Sequence, residues 1–346
     1  MKKFVSILAV VVLMVAMCFA FAACSNDETP DNPDDQNVTD TEGSFKVGAI
    51  YINSKNDTAG YTFKHHAGIT TAMENLGLDP ETDLVIVDEV PEDKEAVLTA
   101  CDTLVGAGCN IVFGISFGYI DAMEEAAAAY PEVIFSHATG YKSNDTNFNN
   151  YFGRIYQARY LAGIAAGLKS VELGNNNIGF VSAYGTEYAE TCSGINAFTL
   201  GAQSVNPDVQ VHVNLIGAWA DEELEKSLSQ DLIDTYDCCV IAQHCDSAQP
   251  QIVANDNGVF GCGYNSDMTA DAPEAHLTAP IWHWEVYYQL AMENAMNDPA
   301  NFIANVGNYY GGLAENFVDI SPLTDNCVAG TQNYIDAVRA LIVSGD

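Results

Sequence analysis

Residues 110–137 read NIVFGISFGYIDAMEEAAAAYPEVIFSH. Asn110–Ser116 is apolar on both faces, as a strand covered on either side must be. Tyr119–Tyr130 is rich in Ala and Glu, good helix formers, and Pro131 ends the run because it cannot continue a helix. Val133–His137 is again apolar. A buried strand, a helix and a second buried strand in 28 residues make a βαβ unit, and such units imply parallel strands.

The same alternation extends in both directions. Upstream lie a strand at Phe45–Ile52, a helix at Phe63–Leu76, a strand at Asp83–Val90 and a helix at Glu92–Val105. Downstream, helices at Gln157–Ser170, Glu187–Gln203, Asp221–Asp234 and Ala248–Asn257 alternate with strands at Asn177–Ala183, Val209–Ile216, Cys238–His244 and Val259–Tyr264. A helix at Glu285–Met296, a strand-like Asn316–Ser321 and a helix at Gln332–Val343 complete the chain. These are too many βα units for one small sheet. The reading is α/β: two doubly wound parallel-sheet lobes, 45–150 and 151–277, divided near Tyr141–Asn150. Parts of 278–305 and of 306–346 rejoin the first and second lobe respectively.

The chain has 346 residues, enough for about two domains at roughly 100–200 residues each. Its 12 Lys+Arg against 47 Asp+Glu give a formal charge of −35, which excludes most nucleic-acid binding. The N-terminus differs from the body. Lys2 and Lys3 precede an uncharged apolar run, Phe4–Ala23, that ends in small residues before Cys24. These are the parts of a secretory signal (1–23), and small residues before Cys resemble a bacterial lipobox. A lipid on Cys24 would hold the protein at the cell membrane, on its extracytoplasmic face; an uncleaved membrane helix is the plainer reading of the same residues. Residues 24–44 read as an acidic linker, because Ser25–Ser44 has seven acidic residues, no basic ones, and Val38 as its only apolar side chain.

In open parallel sheets ligands bind beyond the carboxyl ends of the strands. Those positions carry Asn53, Asp57, Tyr61 and His65, then Ser116-Phe117-Gly118, then His137-Ala138-Thr139-Gly140. Further along they carry Tyr184, Trp219, Gln243-His244-Cys245-Asp246 and Asn265-Ser266-Asp267. Aromatic and neutral polar groups dominate, and basic residues are nearly absent. A phosphate would call for Arg, Lys or a glycine-rich cradle; a flat, polar-edged, uncharged ligand suits these residues better. Each residue also has a plainer reading: Tyr61, Phe117 and Trp219 as packing aromatics, Asp267 as a cap for the segment after it, His283 as a packed core histidine. His244 and Asp246 lie near Cys239 and Cys245, yet strand alternation sends neighbours to opposite faces and no second ligand cluster has metal spacing, so no metal is expected. No P-loop is present, and no cofactor is implied.

Four stretches resemble the basic-membrane-protein (PnrA-like) family of substrate-binding lipoproteins of ABC importers. Asp57–Gly68 (DTAGYTFKHHAG) is similar to its D-x-G-W-T-x-x-H-x-x-G segment, with Tyr61 for the usual Trp. His137–Tyr141 with Tyr151–Gly167 is similar to its H-A-T-G-Y and Y-L-A-G region. Ala242–Ser247 (AQHCDS) is similar to Q-H-x-D-S, and Gly263–Met268 with Ala275–Tyr288 to S-D-M and L-T-x5-W-x-x-Y-Y. The resemblance implies a type I periplasmic-binding-protein fold, permease subunits as partners and a purine as ligand. It also implies that Asp57, Tyr61, Phe117, Trp219, His244, Asp246 and Asp267 are near that ligand. One departure matters. The nucleoside-binding branch carries a lysine after its L-T-S segment, and Thr278–Trp284 here has none. That tilts the expectation from nucleoside towards a free base such as adenine. Two competing functions are a nucleoside hydrolase-type enzyme and a sensory surface lipoprotein for the same ligand.

Overall fold

A computed structural model describes residues 44–345. The expected signal, Cys24 and the rest of the linker up to Gly43 lie outside the described residues. Among the described residues no helix is long and apolar enough to cross a membrane.

The strands form two parallel sheets. The first has the order β12-β5-β4-β3-β1-β2, where β1 is Val47–Tyr51, β2 Leu84–Val87, β3 Ile111–Ile115, β4 Ile134–Ala138, β5 Phe148–Gly153 and β12 Tyr309–Gly311. The second has the order β10-β9-β8-β6-β7, with β6 at Asn177–Ser182, β7 Gln210–Leu215, β8 Val240–His244, β9 Phe260–Cys262 and β10 His276–Thr278. All pairings within both sheets are parallel. β1, β3 and β4 are buried at every position, as their apolar runs require. Helices α1 (Gly60–Asn75), α3 (Lys94–Gly106) and α4 (Ile120–Ala129) connect the first sheet, with a short α2 at Pro80–Asp83; α6 (Ala189–Val205), α7 (Glu222–Tyr236) and α8 (Gln249–Asp256) connect the second. The entry of α3 is fixed by Asp93, whose carboxylate accepts from Glu95 and Ala96 backbone N–H groups at 3.1 and 3.0 Å.

The chain passes between the lobes three times: from β5 into α5 (Ile155–Leu173), from β10 through β11 (Pro280–Trp282) into α9 (Trp284–Asn297), which a short α10 (Phe302–Asn305) follows, and from β12 into β13 (Val318–Ile320) and α11 (Thr331–Ser344). β11 and β13 pair antiparallel as a separate ribbon at these crossings. α9 returns to the first lobe, where its Tyr288 hydroxyl meets His65 Nδ1 of α1 at 2.6 Å. α5 crosses α6 so closely that a Cβ on Gly163 would stand 2.1 Å from the Phe198 carbonyl oxygen, and one on Gly201 2.0 Å from that of Tyr160. Glycine is required at both positions for backbones to meet.

Two expectations need revision. Phe148–Gly153 is a strand of the first sheet rather than the end of a dividing loop, because buried Asn149 is satisfied by the Tyr287 hydroxyl at 2.9 Å and the Gly307 carbonyl at 2.6 Å. His283 is not a core histidine: its ring is 30 % exposed and sits 3.1 Å from Glu285 Oε1. Six of the eight described cysteines are buried, consistent with use as small apolar side chains, and all eight are free thiols.

Candidate functional site

The strand ends of the two sheets face one cavity, part of it open to solvent. The first lobe contributes Ile52 beyond β1, Tyr61 on the first turn of α1, Ser116 and Phe117 beyond β3, and Thr139 beyond β4. The second contributes Glu190 on the first turn of α6, Trp219 beyond β7, His244 at the end of β8, Cys245 and Asp246 after it, and Tyr264 beyond β9. The structure therefore brings together five of the seven expected residues: Tyr61, Phe117, Trp219, His244 and Asp246.

Asp57 and Asp267 lie elsewhere. Both line a wider chamber outside Asp246, with Asn53, Glu89, Glu222 and Asp271 among its other walls. The Asp267 carboxylate is taken up locally, accepting from the Thr269 backbone N–H at 2.9 Å and its hydroxyl at 2.5 Å. That is a turn cap, the plainer of its two sequence readings. Burial raises the Asp57 carboxyl above its ordinary range, with Glu89 and Asp88 adding to the effect.

The aromatic groups are braced edge to face. Tyr188 meets Phe117 of the opposite lobe at 5.8 Å and Trp219 at 5.2 Å, and Tyr184 meets Trp219 at 4.9 Å. These are favourable ring geometries. Phe117 is 37 % exposed, a large apolar face left open to the cleft. On the floor, Trp282 stacks on Trp284 at 4.4 Å, Trp284 stacks on His65 at 3.8 Å, and His65 meets Tyr61 at 4.2 Å. A ladder of rings thus joins the hinge ribbon to the cavity wall.

The polar groups are set by burial. Asp246 is pushed up to about 7, first by burial and then by the charge of Glu225; Glu190 pushes the same way, while the Tyr61 backbone N–H and the Asn265 amide oppose them. The Asn265 amide donates to Asp246 Oδ1 at 3.1 Å. Burial lowers His244 and the Arg159 guanidinium lowers it further, while Glu190 pulls the other way. Arg159 is itself buried: it lies 3.9 Å over the Tyr264 ring and donates to the Gln243 carbonyl at 2.5 Å. Thr139 sits at φ +64°, a left-handed conformation unusual for a β-branched residue, and such outliers gather at functional sites.

Sequence reading missed Glu190, Tyr188 and Tyr264. Tyr264 closes a strand just before the quoted Asn265, and the strand-end rule would have found it. Glu190 and Tyr188 lie inside the expected helix Glu187–Gln203, where an acidic first turn reads as ordinary helix chemistry. No group of three or more His, Cys, Asp or Glu able to hold a metal occurs among the described residues.

A purine-binding protein of Brucella abortus is 35 % identical over 305 residues, 88 % of this chain and 83 % of its own. A Haloferax volcanii protein, provisionally named an ABC transporter glucose-binding protein, is 39 % identical over 204 residues, 59 % of this chain and 50 % of its own. Among solved structures, an ABC transporter solute-binding protein of Aeropyrum pernix superposes with a TM-score of 0.71 at 16 % identity, covering 87 % of this chain and 92 % of its own. One from Conexibacter woesei gives 0.67 at 19 %, covering 87 % and 97 %. The last two carry the fold: two parallel-sheet lobes of the periplasmic solute-binding kind. Residues 45–346 match the family model of the PnrA-like ABC transporter substrate-binding proteins, a family of extracytoplasmic binding proteins and not of enzymes. Fold, strand-end cavity and this match agree, and the chain belongs to that family.

Proposed function

We propose that this substrate-binding protein captures a purine and delivers it to the permease subunits of an ABC importer, with a free base such as adenine preferred to a nucleoside. The observation that supports this most is the cavity wall, where Tyr61, Phe117 and Trp219 stand beside the Asp246 carboxyl. A planar heterocycle offers its faces to the rings and its N–H edge to the carboxyl. Stacking contributes about 1–3 kcal/mol per base, and a few polar contacts bring the total near the −8 kcal/mol of a micromolar complex. The cavity draws its walls from both lobes, so a ligand held there favours the closed arrangement by its differential affinity. No chemical step is needed. The missing lysine at Thr278–Trp284 favours base over nucleoside, and the purine name of the Brucella relative agrees. In this reading Tyr61, Phe117, Trp219, His244 and Asp246 surround the ligand, and Asp57 and Asp267 form the acidic mouth beside it.

A sugar is the second reading, favoured by the Haloferax relative. Thermal-shift screening against bases, nucleosides, sugars and amino acids separates the two. A ligand at a hundred times its Kd adds about 2.7 kcal/mol of stability. Stabilisation by glucose and not by adenine would replace the purine reading. The protein is further proposed to be held at the membrane by a lipid on Cys24. Metabolic labelling with a tritiated fatty acid is expected to mark the wild type and not Cys24→Ser; equal labelling of both removes the anchor.

A further inference from the structure

Glu190 lines the aromatic cavity and also the wider chamber that adjoins it on the side of Tyr156 and Tyr310. It stands on the first turn of α6, where the helix dipole favours negative charge. Its side chain is 21 % exposed, and both of its protein contacts fall on one oxygen. Oε1 lies 3.3 Å from His244 Nε2 and 3.4 Å from the Tyr264 hydroxyl. Both partners are nearly fully buried, at 2 % and 3 % exposure. They are in turn braced: Trp282 Nε1 donates to the Tyr264 hydroxyl at 3.3 Å, and the Arg159 guanidinium covers the Tyr264 ring. The Glu190 carboxylate thus accepts from the Tyr264 hydroxyl and lies against the His244 ring. Arg159 stands behind them: its Nη1 donates to the Gln243 carbonyl, its Nε and Nη2 have no hydrogen-bond partner among the described residues, and its charge reaches Glu190. Glu190 Oε2 has no hydrogen-bond partner among the described residues. The cavity lining holds a second carboxyl, Asp246, and neither Lys nor Arg.

We propose that Glu190 is a specificity-determining residue of this site: its Oε2 accepts an N–H of the bound heterocycle, and its charge excludes anionic ligands. The inference rests on the purine reading and narrows it. A carboxylate held in a partly closed cleft gains a strong charge-assisted hydrogen bond from a ligand that brings a donor. A ligand that brings negative charge meets like charge from Glu190. Adenine carries N–H donors and no charge near neutral pH. Urate has a closely related ring system and is an anion there.

The test is titration calorimetry of the full chain, wild type and Glu190→Gln, with adenine and with urate. The amide is nearly isosteric and keeps an oxygen for His244 and Tyr264, so the melting temperature without ligand is expected to stay put. Glu190→Gln is expected to weaken adenine by about tenfold or more, as loss of a charged acceptor does. The preference for adenine over urate is expected to narrow with it. A variant that binds adenine within about twofold of wild type, with the preference unchanged, overturns the inference while leaving the purine reading intact. Wild type alone supplies an arm that needs no variant: urate bound as tightly as adenine overturns it as well. Wild type that binds neither base removes the purine reading and this inference together.

Discussion

Gly60 of the first lobe lies directly against Asp246 of the second: a Cβ on Gly60 would stand 2.5 Å from the Asp246 carbonyl oxygen and 2.9 Å from its Cβ. The backbone there has φ +81°, which a side chain disfavours in any case. This contact sets how near Tyr61, the next residue, comes to the second lobe. Gly60→Ala is expected to hold the lobes apart and weaken ligand binding by about tenfold or more, a shift of 1.4 kcal/mol. Small-angle scattering with ligand present should show a larger radius of gyration for the variant. A variant that closes and binds as wild type contradicts the contact's role.

Trp219 is braced by Tyr184 and Tyr188 with a face left for the cavity. Trp219→Ala is expected to cost about 1–3 kcal/mol of purine binding, the range for one stacking ring. Calorimetry on a variant with an unchanged far-ultraviolet spectrum checks it. Unaltered affinity would return Trp219 to a packing role.

Asp246 links the site to pH. Its folded pKa, raised to about 7, lies above the value of about 3.9 for an unfolded aspartate. The folded protein therefore holds this proton more tightly. The associated stability is fully present below about pH 4 and is lost as the pH rises through about 7. Asp246→Asn keeps a carbonyl oxygen for Asn265 and removes the titration. Scanning calorimetry of the unliganded variant should show a flatter decline of Tm between about pH 4 and about pH 7 than wild type shows. An equally steep decline assigns the effect to other groups.

Arg159 is 1 % exposed and supports Tyr264 from beneath. Arg159→Ala leaves a cavity and frees the Gln243 carbonyl, and roughly 3 kcal/mol of stability is expected to go with them. Arg159→Lys should recover less than half, because an ammonium lacks the planar face that lies on the Tyr264 ring. Urea unfolding measures both; a loss under about 1 kcal/mol for Arg159→Ala contradicts the supporting role.

What could be read from the sequence follows the length and polarity of each segment. β1, β3 and β4 stand out because their apolar runs are bounded by turn residues and alternate with helices of ordinary length. β10, β11 and β12 span three residues each, too short for any periodicity to register. β5 was hidden by Asn149 and Asn150, polar residues whose partners, Tyr287, Gly307 and the Lys142 carbonyl, are distant in sequence or lie in a loop. The strand-end rule located Phe117, Trp219 and Asp246, since each follows a strand in a parallel sheet. It placed Asp267 by the same logic without seeing that Thr269 would occupy its carboxylate. Glu190 escaped because its place in the cavity wall depends on α6 starting at the cleft, a fact of tertiary packing.

On the purine reading, the cleft grips a purine without transforming it. Isothermal titration of the purified protein with adenine, adenosine and glucose tests it most directly. Expected are a single site for adenine with a Kd of about 1 μM or tighter, weaker binding of adenosine, no heat from glucose, and adenine recovered unaltered afterwards. Saturable heat from glucose with none from either purine would contradict it.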